Sequence, residues 1–172
     1  MDAKYTISAF VVNSPGVLHR IGVLFTRRKL NIDSLTVSET GRKGFSRFTI
    51  CVKADKALVE KVAKQIRKII EVVDVYVSEN REILFKEIAF IKVEANTPER
   101  RLEIEEHALR YDARVVLAGE GFVVVEKTGQ EDEIDSVYLM LEPFGVKEFV
   151  RSGRIAILKE EQEPLPMPAR HA

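Results

Sequence analysis

The sequence predicts an α+β fold of two consecutive βαββαβ units, the ferredoxin-like arrangement, and three observations support this prediction. Apolar segments with the periodicity of strands alternate with segments of helical periodicity, in the order strand, helix, strand, strand, helix, strand. The same order then follows a second time. In both units a hydroxyl residue and a proline open the first helix, at Ser14-Pro15 and again at Thr97-Pro98.

Four strands and two helices are predicted in the first unit. The strands are Tyr5–Val12, Ile32–Thr40, Phe45–Val52 and Val72–Val77. Ser14 suits the position before the first helix, because its hydroxyl can accept a backbone N–H, and Pro15 suits the first helical position. Asp55 suits the capping position of the second helix. The predicted apolar face of that helix consists of Leu58, Val59, Val62, Ile66, Ile69 and Ile70.

The second unit follows the same plan. Its strands are predicted at Glu87–Glu94, Arg114–Leu117, Phe122–Glu126, Val146–Val150 and Ile155–Leu158. Thr97 suits the cap of its first helix. The acidic residues within 131–135 could bind a cation, but they are also typical of the first turn of a helix, where the helix dipole favours negative charge. We prefer the helical interpretation.

Length, composition and charge agree with two small domains. The 172 residues include 45% hydrophobic and 31% charged side chains, which excludes a disordered chain and allows two cores. The 27 basic residues balance the 27 acidic ones, but the first 78 residues carry 14 basic and 7 acidic side chains and the rest carry 13 and 20. We therefore expect one domain over residues 1–78, a second over 79–160 and a disordered tail over 161–172.

The sequence shows no arrangement that indicates catalysis or a metal site. The histidines and Cys51 lack metal-ligand spacing, and the turn at 119–121 lies between two strands, which excludes a dinucleotide-binding loop. Cys51 is the single cysteine and is predicted to be a packed, inert thiol, typical of a reducing compartment. Neither a signal-peptide pattern nor a membrane-spanning run is visible. We expect a cytoplasmic protein that is not an enzyme and takes no cofactor.

The segment after the first strand is the best candidate for a binding site. Asn13 supplies an amide, Gly16 allows a ligand to approach the backbone, and the next helix start offers N–H groups and a positive dipole end. These groups suit the carboxylate and amino groups of a small amino acid. Asn31, at the start of the second strand, could reach the same ligand if another copy packs alongside. Alternatively, Asn13–Gly16 is only a turn between a strand and a helix.

The motifs around this segment resemble one known family. Residues 12–38 read V-N-S-P-G-V-L-H-R-I-G-V-L-F-T-R-R-K-L-N-I-D-S-L-T-V-S and are similar to the N-terminal ACT domain of the regulatory (small) subunits of acetolactate synthase, also called acetohydroxyacid synthase. The next strand of that domain resembles S-R-F-T-I at 46–50. Lys-Glu at 86–87 stands where the family usually has Arg-Glu, and R-S-G at 151–153 resembles its closing motif. The resemblance covers about residues 4–158.

This resemblance implies a regulatory, non-catalytic chain. It would bind a separate large subunit that carries thiamine diphosphate, FAD and magnesium, raise its activity, and confer feedback inhibition by valine or sometimes leucine or isoleucine. The effector would lie between the ACT domains of a homodimer. The implied effector-binding residues are Asn13, Ser14, Pro15, Gly16, Val17 and Leu18 of one copy and Asn31 and Ile32 of the other, with Ser38 nearby. Val17 and Ile32 would bound the effector's side chain.

A physical argument from the edge strand also favours a homodimer. In this fold the second strand, Ile32–Thr40, is an edge strand; it is β-branched and free of proline, so it invites pairing with its own copy. The competing interpretation is a free-standing amino-acid-binding ACT regulator, including one of transcription. A basic helix face supports it, formed by Lys61, Lys64, Arg67 and Lys68. Because no helix-turn-helix pattern accompanies that face, we expect neither nucleic acid nor a membrane as partner.

Overall fold

The computed structural model describes residues 3–160 of the chain. These residues form two compact units, each with one βαββαβ repeat, so the predicted α+β fold of two ferredoxin-like units is confirmed. Of the described residues, the first unit holds 3–85 and 154–160, and the second holds Lys86–Gly153. The expected tail over 161–172 lies outside the described residues.

The division between the units differs from the boundary expected after residue 78. A 3-10 helix over Asn80–Glu82 and the first three residues of a long strand extend the first unit to Phe85. The chain then returns to this unit at Arg154. Sequence patterning detects where a strand or helix stops, but it does not show which core a short connecting segment packs against.

The first unit combines a four-stranded antiparallel sheet with two helices. Its elements are β1 (Ala3–Val12), α1 (Val17–Arg27), β2 (Ser34–Glu39), β3 (Phe45–Ala54), α2 (Lys56–Ile66) and β4 (Val72–Glu79). The strand order is β2-β3-β1-β4, so β2 and β4 are the edges of the sheet. Ile7 and Ile50 of the central strands share one buried core with Ile21 of α1 and Val62 of α2.

The two helices of this unit begin for different local reasons. The Asp55 carboxylate accepts the N–H of Ala57 at 2.9 Å, so the predicted cap of α2 is confirmed. The cap predicted at Ser14 and the first helical position predicted for Pro15 are both wrong. Helix α1 starts at Val17, because Gly16 adopts a left-handed conformation with φ of +83° and turns the chain into the helix there.

One residue predicted on the apolar face of α2, Ile70, is not buried. Helix α2 ends at Ile66, Ile69 packs only partly against the core, and Ile70 is 89% exposed. The chain leaves the helix at this point and turns toward β4, so helical spacing no longer decides which side chains are buried.

The remaining elements repeat the plan, and those within Lys86–Gly153 enclose a separate core. They are β5 (Ile83–Glu94), α3 (Pro98–Arg110), β6 (Arg114–Gly119), β7 (Phe122–Gly129), α4 (Glu131–Leu141), β8 (Val146–Arg151) and β9 (Ile155–Leu158). The strand order is β6-β7-β5-β8, and β9 pairs with β5. The core of the second unit includes Ile91 of β5, Ile104 of α3, and Val137 and Leu141 of α4.

The helix starts of the second unit agree with the sequence. Thr97 Oγ1 accepts the N–H of Arg100 at 3.2 Å, which confirms the predicted cap of α3. At α4 the N–H of Gln130 donates to Glu133 Oε2 at 2.6 Å, within a capping box. The helical interpretation of the acidic residues is therefore confirmed.

Strand β9 is preceded by a buried arginine that belongs to the first unit. The Arg154 side chain is 1% exposed, and its Nη1 donates to Thr6 Oγ1 at 3.1 Å and to Asn80 Oδ1 at 2.8 Å. Its guanidinium lies 3.9 Å from the centroid of the Phe85 ring. These contacts explain why residues 154–160 group with the first unit rather than with the second.

Candidate functional site

The loop Asn13–Gly16 joins β1 to α1 at one end of the first sheet. The Asn13 N–H donates to the Gly44 carbonyl oxygen at 2.8 Å, and its side-chain Nδ2 donates to Glu39 Oε1 at 3.1 Å. Among the described residues, no side chain caps the start of α1. The N–H groups of the first helical turn and the positive end of the helix dipole therefore suit a carboxylate ligand.

Glu39 belongs to this group, although sequence reasoning missed it. It lies at the end of β2, where it pairs in register with Ser46 of β3. It is 26 residues from Asn13, so only the folded sheet brings the two side chains together. The loop therefore has a negative carboxylate on one side and the positive end of a helix dipole on the other. These two charges suit a zwitterion, which carries both signs.

The other predicted residues of this segment divide between the surface and the core. Leu18 is 47% exposed, Pro15 is also exposed, and Ser14 is half-buried. Val17 is 2% exposed and belongs to the core of the first unit. Its side chain therefore packs into that core, and the expectation that it bounds a ligand stays a prediction.

Asn31 and Ile32 line a hollow of about 450 Å³ beside α1. The rest of its wall consists of His19, Gly22, Val23, Phe25, Thr26 and Leu30. Asn31 is exposed and Ile32 is half-buried. A β-carbon built on Gly22 would meet no atom of the described residues within 4 Å. The face of α1 at Gly22 is therefore open.

Within one chain, Asn13 and Asn31 lie at opposite ends of the sheet. The register places Ser34 of β2 beside Cys51, and Cys51 beside Thr6 of β1. Asn13 follows Thr6 by seven residues, whereas Asn31 precedes Ser34 by three. Because a strand rises about 3.3 Å per residue, the two amides are about 20 Å or more apart. One ligand cannot contact both amides of the same chain.

The corresponding loop of the second unit has different chemistry. The Asn96 Nδ2 donates to Glu94 Oε1 at 2.5 Å. Hydrogen bonds from Lys147 and from Asn96 lower the pKa of Glu94, so this carboxylate keeps its negative charge. Thr97 caps α3, and Glu99 adds an acidic side chain to its first turn. Because this helix start is already satisfied, we assign no carboxylate site to the second unit.

Cys51 has the environment expected for a structural thiol. Its side chain is free and buried, with 1% exposure, in the middle of the first sheet. The sulfur lies 4.0 Å from Thr6 Oγ1. The prediction of a packed cysteine is confirmed.

The two βαββαβ units and the glycine turn before an uncapped helix are typical of an ACT-domain protein. A family model for the AHAS small subunit-like ACT domain matches residues 7–74, and one for the small subunit of acetolactate synthase matches residues 86–160. A probable acetolactate synthase small subunit of Archaeoglobus fulgidus is 41% identical over 157 residues, which cover 91% of this chain and 97% of that protein. The acetolactate synthase small subunit of Bacillus subtilis is 38% identical over 161 residues, which cover 93% of each chain.

The crystal structure of the acetolactate synthase small subunit from Thermotoga maritima shares this architecture. It matches with a TM-score of 0.82 and 30% sequence identity, over 92% of this chain and 99% of that one. The chain therefore belongs to the family of acetolactate synthase small subunits, as its motifs predicted. Membership supports a regulatory, non-catalytic role beside a catalytic large subunit. In residues 3–160 no helix has both the length and the apolar character needed to cross a membrane.

Proposed function

We propose that this chain activates the large subunit of acetolactate synthase in the cytoplasm and makes it sensitive to feedback inhibition by valine or another branched-chain amino acid. The uncapped start of α1 behind Gly16, in a member of this family, is the observation that supports the proposal most. The large subunit would carry thiamine diphosphate, FAD and magnesium, and this chain would add no cofactor. Inhibition would act through different subunit contacts with and without the effector.

One half of the effector site would be the loop itself. The effector's carboxylate would bind the N–H groups of the first turn of α1, and Asn13 would add a hydrogen bond. The Glu39 carboxylate would accept the effector's ammonium group. A simple carboxylic acid has no ammonium group that could pair with Glu39, so the half-site favours an amino acid.

The other half would come from a second copy through β2. This strand is an edge, and its residues Leu35 and Val37 pair with core residues of β3 yet are 37% and 45% exposed. Two copies that pair antiparallel along β2 would continue the sheet and cover these side chains. Antiparallel pairing brings the start of one β2 to the end of the other. Asn31 of one copy would then lie near Asn13 and Glu39 of its partner.

The open face at Gly22 fits the same homodimer. A glycine inside a helix costs about 1 kcal/mol relative to alanine. No atom of the described residues occupies the space beside it. Two α1 helices that approach each other across the joined sheets would use that space. Ile32 at the rim of the hollow would then bound the apolar side chain of the effector.

A DNA-binding regulator has less support. Among the basic residues expected on the α2 face, Arg67 donates to the Val75 carbonyl oxygen and lies 4.0 Å from the Asp74 carboxylate. Arg67 therefore holds the end of α2 against β4 rather than presenting a free charge to a phosphate. We propose neither nucleic acid nor a membrane as a partner.

Valine should raise the thermal unfolding temperature of the purified chain. A ligand that binds only the folded state stabilises it by about 2.7 kcal/mol at a hundredfold excess over Kd. Leucine, isoleucine and alanine would rank the side chains, with D-valine as the stereochemical control. Assays of the large subunit with and without this chain would measure activation. If a dimeric chain showed no shift with any branched-chain amino acid and caused no inhibition, the effector role would be wrong.

Gly16→Ala should weaken valine binding about tenfold. A left-handed conformation costs an alanine about 1–2 kcal/mol, and the loop can relieve this strain only by moving the start of α1. Calorimetric titration would measure the affinity. Gly41→Ala is the matched control, because Gly41 lacks a positive φ and a β-carbon there meets nothing within 4 Å among the described residues. Equal affinities in the two variants would contradict the assigned site.

A further inference from the structure

Glu71 contacts the chain on both sides of the loop Asn13–Gly16. Its carbonyl oxygen accepts the N–H of Val12 at 2.7 Å, immediately before the loop. Its carboxylate Oε1 accepts a hydrogen bond from Nη2 of Arg20, at the end of the first turn of α1. Glu71, in the turn between α2 and β4, therefore contacts the chain both before and after the loop.

Arg20 contacts the loop as well as Glu71. Its backbone N–H donates to the Gly16 carbonyl oxygen at 3.0 Å, at the start of the helix. A β-carbon built on Gly16 would lie 3.7 Å from Arg20 Nη1. The guanidinium therefore covers one side of the glycine turn while Glu71 holds the guanidinium in place.

The ion pair is only partly open to water. The Glu71 side chain is 20% exposed and the Arg20 side chain is 46% exposed. The second carboxylate oxygen, Glu71 Oε2, is buried and has no hydrogen-bond partner within residues 3–160. Exposed ion pairs contribute little to stability, but a largely buried carboxylate depends on its counter-charge. Loss of Arg20 would therefore remove the counter-charge of the Glu71 carboxylate and destabilise the turn that contains Glu71.

The loop has few other contacts that fix its conformation. On the side of β2 and β3, Asn13 bonds to Gly44 and to the exposed Glu39. On the side of β4, the contacts are those of Glu71. The glycine turn has no side-chain cap among the described residues, so its conformation depends on these two outside supports.

We propose that Glu71 and Arg20 form a brace that holds the loop in its ligand-binding conformation. Both are positioning residues, and neither touches the effector. The inference rests on the proposed function, because the braced loop is the proposed carboxylate site. A preformed loop binds its ligand without first being ordered. Without the brace, only a fraction of the molecules would hold the competent conformation, and the measured affinity would fall in proportion to that fraction.

Hydrogen exchange in the free protein tests the brace without any ligand. Arg20→Gln and Glu71→Gln each remove one charge, and the double variant Arg20→Glu, Glu71→Arg reverses the pair. Arg114→Gln is the matched control, because it breaks the 2.8 Å ion pair with Glu126 in the second unit. We expect the hydrogen-bonded amides that flank the loop, those of Val12, Asn13 and Arg20, to exchange about fivefold faster in both single variants, with recovery in the reversed pair and no change in the control.

Valine titration of the same variants separates a brace from a direct contact. The brace predicts similar losses of affinity in the two single variants, about fivefold each, and recovery in the reversed pair. A far larger loss in Arg20→Gln than in Glu71→Gln, without recovery on reversal, would mean that Arg20 binds the carboxylate itself and would overturn the proposal. Unchanged exchange of the loop in both single variants would overturn it too.

The two proposals fail in different ways. If the wild-type chain bound no amino acid, the proposed effector role would be lost. The exchange rates of the loop amides would still decide whether Glu71 and Arg20 hold its conformation.

Discussion

Mixed dimers of Asn13→Ala and Asn31→Ala chains are expected to bind valine at half the wild-type stoichiometry, although neither variant alone binds it well. The register of the first sheet keeps these amides about 20 Å or more apart within one chain. One ligand can contact both only if they belong to different copies. In a mixed dimer both substitutions fall in the same site, and the other site keeps both amides.

Each variant alone should bind valine more than about tenfold more weakly, because losing a hydrogen bond to a charged group costs about 1.5–3 kcal/mol. Two affinity tags on co-expressed chains would isolate the mixed dimer, and calorimetric titration would give its affinity and number of sites. A doubly tagged dimer of two Asn13→Ala chains is the control. A mixed dimer that bound no better than its parents would show that Asn13 and Asn31 do not share a ligand.

Leu141→Ala is expected to destabilise the second unit by about 3 kcal/mol and to leave the first unit protected. Leu141 is 0% exposed at the end of α4, in the core of the second unit. Truncating a fully buried leucine costs about 2–5 kcal/mol, because the cavity left behind adds to the lost burial. The two units have separate cores, so we expect the loss to be local.

Peptide-resolved hydrogen exchange would locate the effect of Leu141→Ala. Leu139→Ala is the matched control on the same helix: Leu139 is 63% exposed, and its truncation should change stability by less than about 0.5 kcal/mol. If residues 3–85 lost as much protection as Lys86–Gly153, the two units would unfold together rather than separately.

Most of the fold could be predicted because local chemistry decides it. The apolar spacing of β3 and α2 follows the period of each element, and Asp55 and Thr97 mark helix starts by the hydrogen bonds their side chains accept. The predictions of a cap at Ser14 and of burial for Ile70 were wrong for a related reason. Each fits a local pattern, but the backbone enters the helix after Ser14 through Gly16 and leaves the other helix before Ile70.

The candidate site was predictable only where single residues reveal their chemistry. Asn13, Gly16 and Asn31 could be named from the sequence as groups that suit an amino acid. Val17 shares a helical stripe with the buried Ile21, so the spacing placed its side chain in the core even though the family resemblance suggested a ligand contact.

Two contacts of the loop could not have been found from local patterns. The hydrogen bond from Asn13 to Glu39 spans 26 residues, and that from Arg20 to Glu71 spans 51. Both depend on strand order and register, which only the folded sheet establishes.

The return of residues 154–160 to the first unit makes the second unit an insertion within the first. The entry and exit points are neighbours, because the Arg154 guanidinium lies over the Phe85 ring. Cutting the chain after Phe85 would remove Arg154 and leave the Thr6 hydroxyl without the guanidinium that donates to it. Joining Phe85 to Arg154 through a short glycine linker would instead excise the second unit and keep the first complete. The first compact unit therefore includes residues from both sides of the second, although the ACT domain itself matches only residues 7–74.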